Sequence, residues 1–220
     1  MRRRFKLLST VLVLSLALPA SGSTNSTNVG ARVNTLEFNV YLNDDPIGFH
    51  RFVVKKRGEA EIIESNASFK VKFLVFNAYE YQHENREVWR RGCLQKMQSR
   101  TDDNGEVFSV TAEKEQDQFA VTTLRDSNQL HGCVKTFAYW DPELIVSKRL
   151  LNAQTGEYMD VTVENLGSGK VSYKGTSREA VRYRIMGENL NIDVWYSPRG
   201  EWLALDSAKD GNLIRYRRKL

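Results

Sequence analysis

The chain has 220 residues, with 32 Lys and Arg, 27 Asp and Glu, and a formal net charge of +5. Its basic excess lies in the first six residues, and removal of residues 1–20 lowers the charge to +1. The nearly neutral remainder has neither the basic surface nor the stacking aromatic motif of a nucleic-acid-binding protein, so we expect no nucleic-acid partner.

The N-terminus has the order of a secretory signal peptide. Basic residues at positions 2–6 precede an apolar stretch from Leu7 to Leu18, and small residues follow in Pro19-Ala20-Ser21-Gly22. This stretch of 12 residues is shorter than the roughly 20 that a membrane-spanning helix needs. We predict a cleavable signal peptide over residues 1–20, no integral membrane span after cleavage, and a periplasmic or secreted protein.

The mature chain alternates between apolar and polar residues, which is the period of β-strands. Residues 21–35 are polar and small and predict a flexible leader, and regular alternation begins at Leu36. Turn residues then recur about every 8 to 12 positions, as in antiparallel all-β domains. The predicted strands are 36–42, 47–56, 61–73, 79–91, 93–101, 106–114, 118–125, 157–165, 169–174, 178–186, 190–196, 201–207 and 212–218.

One stretch departs from strand alternation. Asp141-Pro142-Glu143 supplies an N-cap, a proline at the first helical position and an early acid, so we predict one short helix near 141–150. The remainder predicts a single all-β domain over residues 36–220. A sheet of about a dozen strands must curl, close or split. The expected fold is therefore an antiparallel meander curled into a half-barrel or a barrel, whose lumen is able to hold a ligand.

A short motif occurs twice. Asn85-Arg-Glu-Val-Trp89 and Asn191-Ile-Asp-Val-Trp195 lie 106 residues apart, and in each copy a hairpin glycine follows the Trp by 16 residues. Each copy therefore predicts a strand, a turn, a strand, a tight turn and a strand. The two copies favour an internal pseudo-repeat, 36–125 against 140–220, although unrelated antiparallel strands converge on the same residue types.

The chain has two cysteines, Cys93 and Cys133. An oxidising compartment allows them to pair, and the alternative is two buried thiols. Their spacing favours neither, so both readings stay open.

Polar and aromatic residues share one face of the predicted strand 79–91. If that face points inward, it forms a small-molecule pocket, and if it points outward, it is a solvated strand. In the second motif copy Ile192 and Val194 mark the core face, which by analogy places Val88 toward the core. The candidate ligand-binding residues are Tyr79, Tyr81, His83, Glu87, Trp89, Trp140, Asp193 and Trp195.

Several segments together resemble an exported bacterial family of unknown function, over nearly all of the mature chain. These segments are Asp45-Pro-Ile-Gly48, Tyr79-Glu-Tyr-Gln-His83, Glu87-Val-Trp89, Thr101-Asp-Asp-Asn-Gly105, Tyr139-Trp-Asp-Pro142 and Asp193-Val-Trp-Tyr196. The long curved meander is also distantly similar in architecture to periplasmic lipoprotein-carrier and lipid-binding half-barrels. Neither resemblance implies an assigned active site.

Three functions are compatible with this reading. The first is a non-catalytic envelope protein that binds a lipid or another hydrophobic or amphipathic small molecule. The second is an enzyme that acts on envelope glycans or lipids through Glu87 and Asp193, and the third is a structural module that binds an envelope protein partner. No metal-ligand spacing or cofactor motif is present, so we expect no metal and no cofactor.

The signal peptide gives the first testable prediction. Protein recovered from the periplasm should begin at Ser21 or Ser23, because the small residues that precede a cleavage site lie there. Intact mass measures the start of the chain. Retention of residues 1–20 in a membrane fraction would show that the segment is an uncleaved anchor instead.

Overall fold

The computed structural model describes residues 32–73, 76–173, 175–209 and 211–219. The predicted signal peptide and residues 21–31 of the predicted leader lie outside this range. Over the described residues the fold is almost entirely antiparallel sheet, which confirms the predicted fold class. The strands are β1 Arg32–Leu42, β2 Asp45–Arg57, β3 Ala60–Phe73, β4 Phe76–Arg90, β5 Cys93–Asp103, β6 Glu106–Glu115, β7 Gln118–Thr123, β8 Ser127–His131, β9 Arg149–Leu151, β10 Tyr158–Asp160, β11 Thr162–Tyr173, β12 Thr176–Gly187, β13 Leu190–Tyr196, β14 Trp202–Lys209 and β15 Asn212–Arg218.

Thirteen of these strands form one sheet in the order β11-β12-β13-β14-β15-β1-β2-β3-β4-β5-β6-β7-β8, and β9 pairs with β10 in a small second sheet. Strands β8 and β11 have no strand partner on their outer sides within the described chain, so the sheet is open and fits a half-barrel. Register shifts interrupt five strand pairs, for instance between Val88 and Trp89. Such bulges increase the local bend and twist of a sheet.

Apolar side chains from both ends of the sheet meet in one core. Phe119 on β7 and Ile185 on β12 belong to the same buried cluster, which requires the sheet to curl around its apolar face. The segment that joins β8 to β11, residues 132–161, fills this concave face. Leu144, Leu150 and Leu151 of this connector are almost completely buried there. The connector therefore closes the core that the open sheet leaves uncovered.

The predicted helix is present but shorter than expected. A 3-10 helix spans Pro142–Val146, and the Asp141 side chain caps it by accepting a hydrogen bond from the Glu143 backbone N–H at 3.1 Å. The helix does not continue to residue 150, because Arg149–Leu151 is strand β9, which pairs with β10. Leu151 N–H also donates to the Lys135 carbonyl at 2.8 Å. Tertiary pairing thus overrides the helical pattern after Val146.

Several strand boundaries also differ from the prediction. Strand β1 begins at Arg32, inside the predicted leader, because its backbone pairs with β2 as far as Lys56. The two predicted strands at 157–165 and 169–174 are replaced by the short β10 and one long strand, β11, that continues through a register shift at Gly167. Strand β8 was not predicted, since its residues carry no apolar alternation.

The two motif copies form the expected meanders, but their side chains point to opposite faces. Trp89 is 0% exposed within the main core, whereas Trp195 packs on the outer face against Ala180 and Leu203. In the second copy Val194 occupies the core instead. The expectation that Val88 faces the core is therefore wrong. Residues matched by the 106-residue offset are not equivalent in space.

This difference predicts unequal costs for two matched substitutions. Trp89→Ala should lower the free energy of unfolding by about 3–5 kcal/mol, because it opens a cavity in a closed core. Trp195→Ala should cost only about 1 kcal/mol, because the ring is partly exposed on the outer face. Urea melts of the two variants measure both values. Equal losses would contradict the opposite orientation of the two rings.

Candidate functional site

A cavity of about 270 Å³ lies between the concave face of the sheet and the connector. Strands β2, β3, β4 and β13 form one wall, and connector segments at 136–140 and 152–154 form the other. Its polar and aromatic lining residues are His50, Ser65, Tyr81, His83, Asn85, Glu87, Thr136, Tyr139, Trp140, Asn152 and Gln154. Phe52, Ile63 and Ile192 supply an apolar part of the wall.

Strand β4 places a row of site residues in this cavity through its two-residue period. Tyr81, His83, Asn85 and Glu87 alternate along one face of β4, and all four line the cavity. The structure therefore shows that this face of β4 points inward. Trp89 continues the row, but it lies in the core and meets the edge of Trp140 at 5.5 Å between ring centroids.

Glu87 is a buried carboxyl group held by neutral donors. Asn85 Nδ2 donates to its Oε1 at 2.9 Å, and Trp89 Nε1 donates to its Oε2 at 2.7 Å. Burial raises the pKa of Glu87, and the hydrogen bonds from Asn85, Trp89 and Thr136 offset part of that increase. Within the described chain no Lys or Arg forms an ion pair with this carboxyl group.

Two histidines lie beside each other in the cavity. The ring centroids of His50 and His83 are 6.4 Å apart, and His83 Nδ1 lies 2.7 Å from the Thr101 hydroxyl. Burial lowers the pKa of His83 to about 4. Burial and the neighbouring His83 lower the pKa of His50 well below its usual value. Both rings are therefore neutral at neutral pH.

Two polar atoms at this site are buried without a partner. His50 Nε2 and Asn85 Oδ1 have no hydrogen-bond partner among the residues that the structure describes, although both residues line the cavity. Nearly all buried polar atoms in folded proteins are paired. Two residues of the cavity wall therefore carry unsatisfied polar atoms.

Other predicted site residues lie outside the cavity. The Tyr79 hydroxyl donates to Asp103 at 2.7 Å beyond its rim. Asp193 and Trp195 point to the outer face of the sheet, where Arg184 donates to Asp193 at 2.8 Å and the Arg182 guanidinium lies 5.0 Å above the Trp195 ring. The prediction that Asp193 and Trp195 join Glu87 at one site is corrected, because β13 exposes its opposite face to the cavity.

Cys93 and Cys133 form a disulfide, with their Cα atoms 5.1 Å apart. Cys93 begins β5 and Cys133 lies at the start of the connector. Beside the disulfide, the Leu94 N–H donates to the Val134 carbonyl at 2.9 Å. The disulfide therefore attaches the connector to the wall of the sheet at the point where it enters the concave face.

The structure adds residues that sequence reasoning did not select. His50 lies two residues from Phe52 on β2 and shares its face, so the alternation of this strand was the signal that could have identified His50. Thr136, Tyr139 and Gln154 belong to the connector, whose irregular backbone gives no periodic pattern to read. The described residues contain no group of three or more His, Cys, Asp or Glu that could hold a metal ion. In the same residues no helix is long and apolar enough to cross a membrane.

Comparison with known proteins gives a family and a fold. The model of the family "Domain of unknown function (DUF6134)" matches residues 38–219. No curated protein matches the chain. The crystal structure of a beta-barrel-like protein of domain of unknown function DUF1849 from Brucella abortus is similar, with a TM-score of 0.62 and 12% identity over 85% of this chain and 95% of that chain. At this identity the likeness shows the fold alone. The expected resemblance to an uncharacterised family with barrel-like architecture is confirmed.

The histidines generate a prediction about pH. As pH falls from 6.5 toward 4, the unfolded chain binds a proton at His83 that the folded protein does not, so stability is lost in this window. At pH 4 the free energy of unfolding should be lower by about 3 kcal/mol because of His83. In His83→Asn the free energy of unfolding should fall less steeply, measured by urea melts across this range.

The matched control is His131→Asn, since His131 is exposed on the edge strand β8. It should keep the pH dependence of the wild-type protein. If His83→Asn also keeps that dependence, His83 is not a buried neutral histidine in solution.

Proposed function

We propose that this chain, which belongs to the DUF6134 family of domains of unknown function, is a non-catalytic exported protein that binds a small amphipathic molecule on the concave face of its sheet. The observation that carries the proposal is the cavity between the sheet and the connector. It combines aromatic walls with a few fixed polar groups, which is the usual composition of a small-molecule site.

The size of the cavity restricts the ligand. Its volume of about 270 Å³ is close to the lower end of the roughly 300–1,000 Å³ that ligand pockets occupy. A compact molecule, or one end of a longer chain, fits this space. A complete two-chain lipid does not.

The walls favour a ligand with an apolar body. Trp140, Tyr139 and Phe52 present aromatic surface, and Ile63 and Ile192 present aliphatic surface. Each aromatic side chain that contacts a ligand contributes a large apolar area together with a defined geometry. The polar atoms of β4 lie at the same cavity, so the ligand should carry both an apolar part and a hydrogen-bonding group.

Export supports the same assignment. The predicted signal peptide at residues 1–20 leads the protein to the envelope, where amphipathic molecules are abundant, and the disulfide suits an oxidising compartment. Periplasmic or secreted location is part of the proposal.

The first alternative, an enzyme that acts on glycans or lipids, requires Glu87 and Asp193 to form a pair of carboxyl groups at one site. Glu87 faces the cavity, whereas Asp193 lies on the outer face beside two arginines, so the two carboxyl groups do not flank one substrate. A protein partner at a sheet edge stays a prediction. The long edge strand β11 carries charged residues and a register shift, which usually discourage edge pairing.

A cavity-filling substitution tests the proposal. Ser65 is a buried cavity residue on β3, so Ser65→Phe should fill the cavity with an aromatic ring. Organic extracts of purified wild-type protein should contain a co-purified amphipathic molecule by mass spectrometry. The Ser65→Phe variant should retain about tenfold less of it, because the binding volume is lost.

The control is Asn66→Phe, which changes the next residue of the same strand on the exposed face. This variant should retain the wild-type amount. Circular dichroism and urea melts establish that both variants are folded. Equal ligand content in the two folded variants, or no ligand in any of the three proteins, would contradict the proposal.

A further inference from the structure

We propose that the ligand carries an uncharged hydrogen-bond donor, a hydroxyl or a primary amide, and that the cavity discriminates against anionic head groups such as carboxylate and phosphate. This inference rests on the proposed binding function and specifies the chemical class of the ligand. It follows from the orientation of Asn85, the free atom of His50, and the charges that the cavity contains.

The Asn85 side chain has a fixed orientation. Its Nδ2 donates to Glu87 Oε1 at 2.9 Å, and with Glu87 ionised the reversed amide would place two oxygen atoms with no proton between them against each other. Its Oδ1 is therefore the atom left over, and it is buried without a partner among the described residues. A carbonyl oxygen only accepts hydrogen bonds. A ligand that satisfies Asn85 must consequently donate one.

His50 supplies a second free atom at the same cavity. Its Nδ1 contacts the Tyr216 hydroxyl at 3.4 Å, and its Nε2 is buried and unpaired within the described chain. The ring is stacked on Phe52 with 4.1 Å between the ring centroids, which fixes its position. A neutral imidazole nitrogen either donates or accepts, depending on the tautomer. A hydroxyl group satisfies either case, because it both donates and accepts.

The charges of the cavity act against an anion. Among the described residues no Lys or Arg lines the cavity, and Glu87 is the one acidic side chain that does. Both histidines are neutral at neutral pH. An anionic head group would therefore lose its hydration without gaining a counter-ion, next to a carboxyl group. Burial of an unpaired charge is far more costly than burial of a hydrogen-bonded neutral group.

The Glu87 carboxyl group is a poor site for a ligand cation. Its two oxygens already accept from Asn85 and Trp89, and Thr136 is a third hydrogen-bond partner. It positions Asn85 and does not present a free oxygen. The head group that best matches the cavity is accordingly neutral, with a donor for Asn85 Oδ1.

Five probes with a chain of eight carbon atoms separate the possibilities. Octanol, octanamide, octanoate and octylamine are titrated into the purified protein by calorimetry at neutral pH, with octyl methyl ether as the matched probe that accepts but does not donate. Octanol and octanamide should bind about tenfold more tightly than the ether, and octanoate should bind at least about tenfold more weakly than octanol.

Two variants connect the preference with its atoms. In Asn85→Ala the preference for octanol over the ether should fall, because the acceptor of Asn85 is absent. If that variant does not fold, His50→Phe provides the second test, since it keeps an aromatic ring on Phe52 and removes Nε2. It should reduce octanol binding, because a hydroxyl group bonds to Nε2 in either tautomer.

The outcomes distinguish this inference from the function on which it rests. If none of the probes binds, the proposed function fails. If all bind with similar affinity, the cavity binds alkyl chains but has no head-group selectivity, and the inference alone is overturned. Tightest binding of octanoate or octylamine would also overturn it, because a charged head group would then be the preferred one.

Discussion

The structure depends on how an open sheet buries its apolar face. A thirteen-stranded sheet that curls without closing leaves a concave apolar surface, and this surface must be covered for the domain to be stable. Residues 132–161 provide the cover, with Leu150 and Leu151 almost completely buried. The cavity is the space that remains where this connector and the sheet do not pack against each other. The packing of the connector on the sheet thus produces both the closed core and the cavity.

The core and the cavity share a network of hydrogen bonds. Trp89 fills the core, and its indole N–H donates to Glu87, which in turn accepts from Asn85 at the cavity wall. A buried network of this kind orients its members, because every broken bond leaves an unpaired buried group. The free Oδ1 of Asn85 is therefore held in place by packing that begins inside the core. The disulfide Cys93–Cys133 secures the opposite wall by attaching the connector to β5.

Local patterns predicted most of the sheet and only part of the site. Alternation and hairpin dipeptides identify strands because both signals depend on neighbouring residues, as at Asn104-Gly105 between β5 and β6. The same alternation placed Tyr81, His83 and Glu87 on one face. It did not determine that the face is inward, and analogy with the second motif copy gave the opposite answer at Val88.

The part of the site that local patterns did not predict depends on long-range packing. The course of the connector follows from contacts such as Leu94 with Val134, which joins β5 to the connector, and Leu151 with Lys135, which joins two stretches of the connector itself. No periodic signal in the sequence encodes such contacts. Thr136, Tyr139 and Gln154 reach the cavity only through them.

The cavity between the sheet and the connector is the ligand site that we propose. A crystal structure of the protein grown with a bromine-labelled octanol tests it most directly, since the anomalous signal of bromine locates the ligand without prior assumptions. We expect a bromine peak within the cavity and the alcohol oxygen at hydrogen-bond distance from Asn85 Oδ1. A peak on the outer face beside Asn66 and Glu84, or an empty cavity at saturating alcohol, would contradict it.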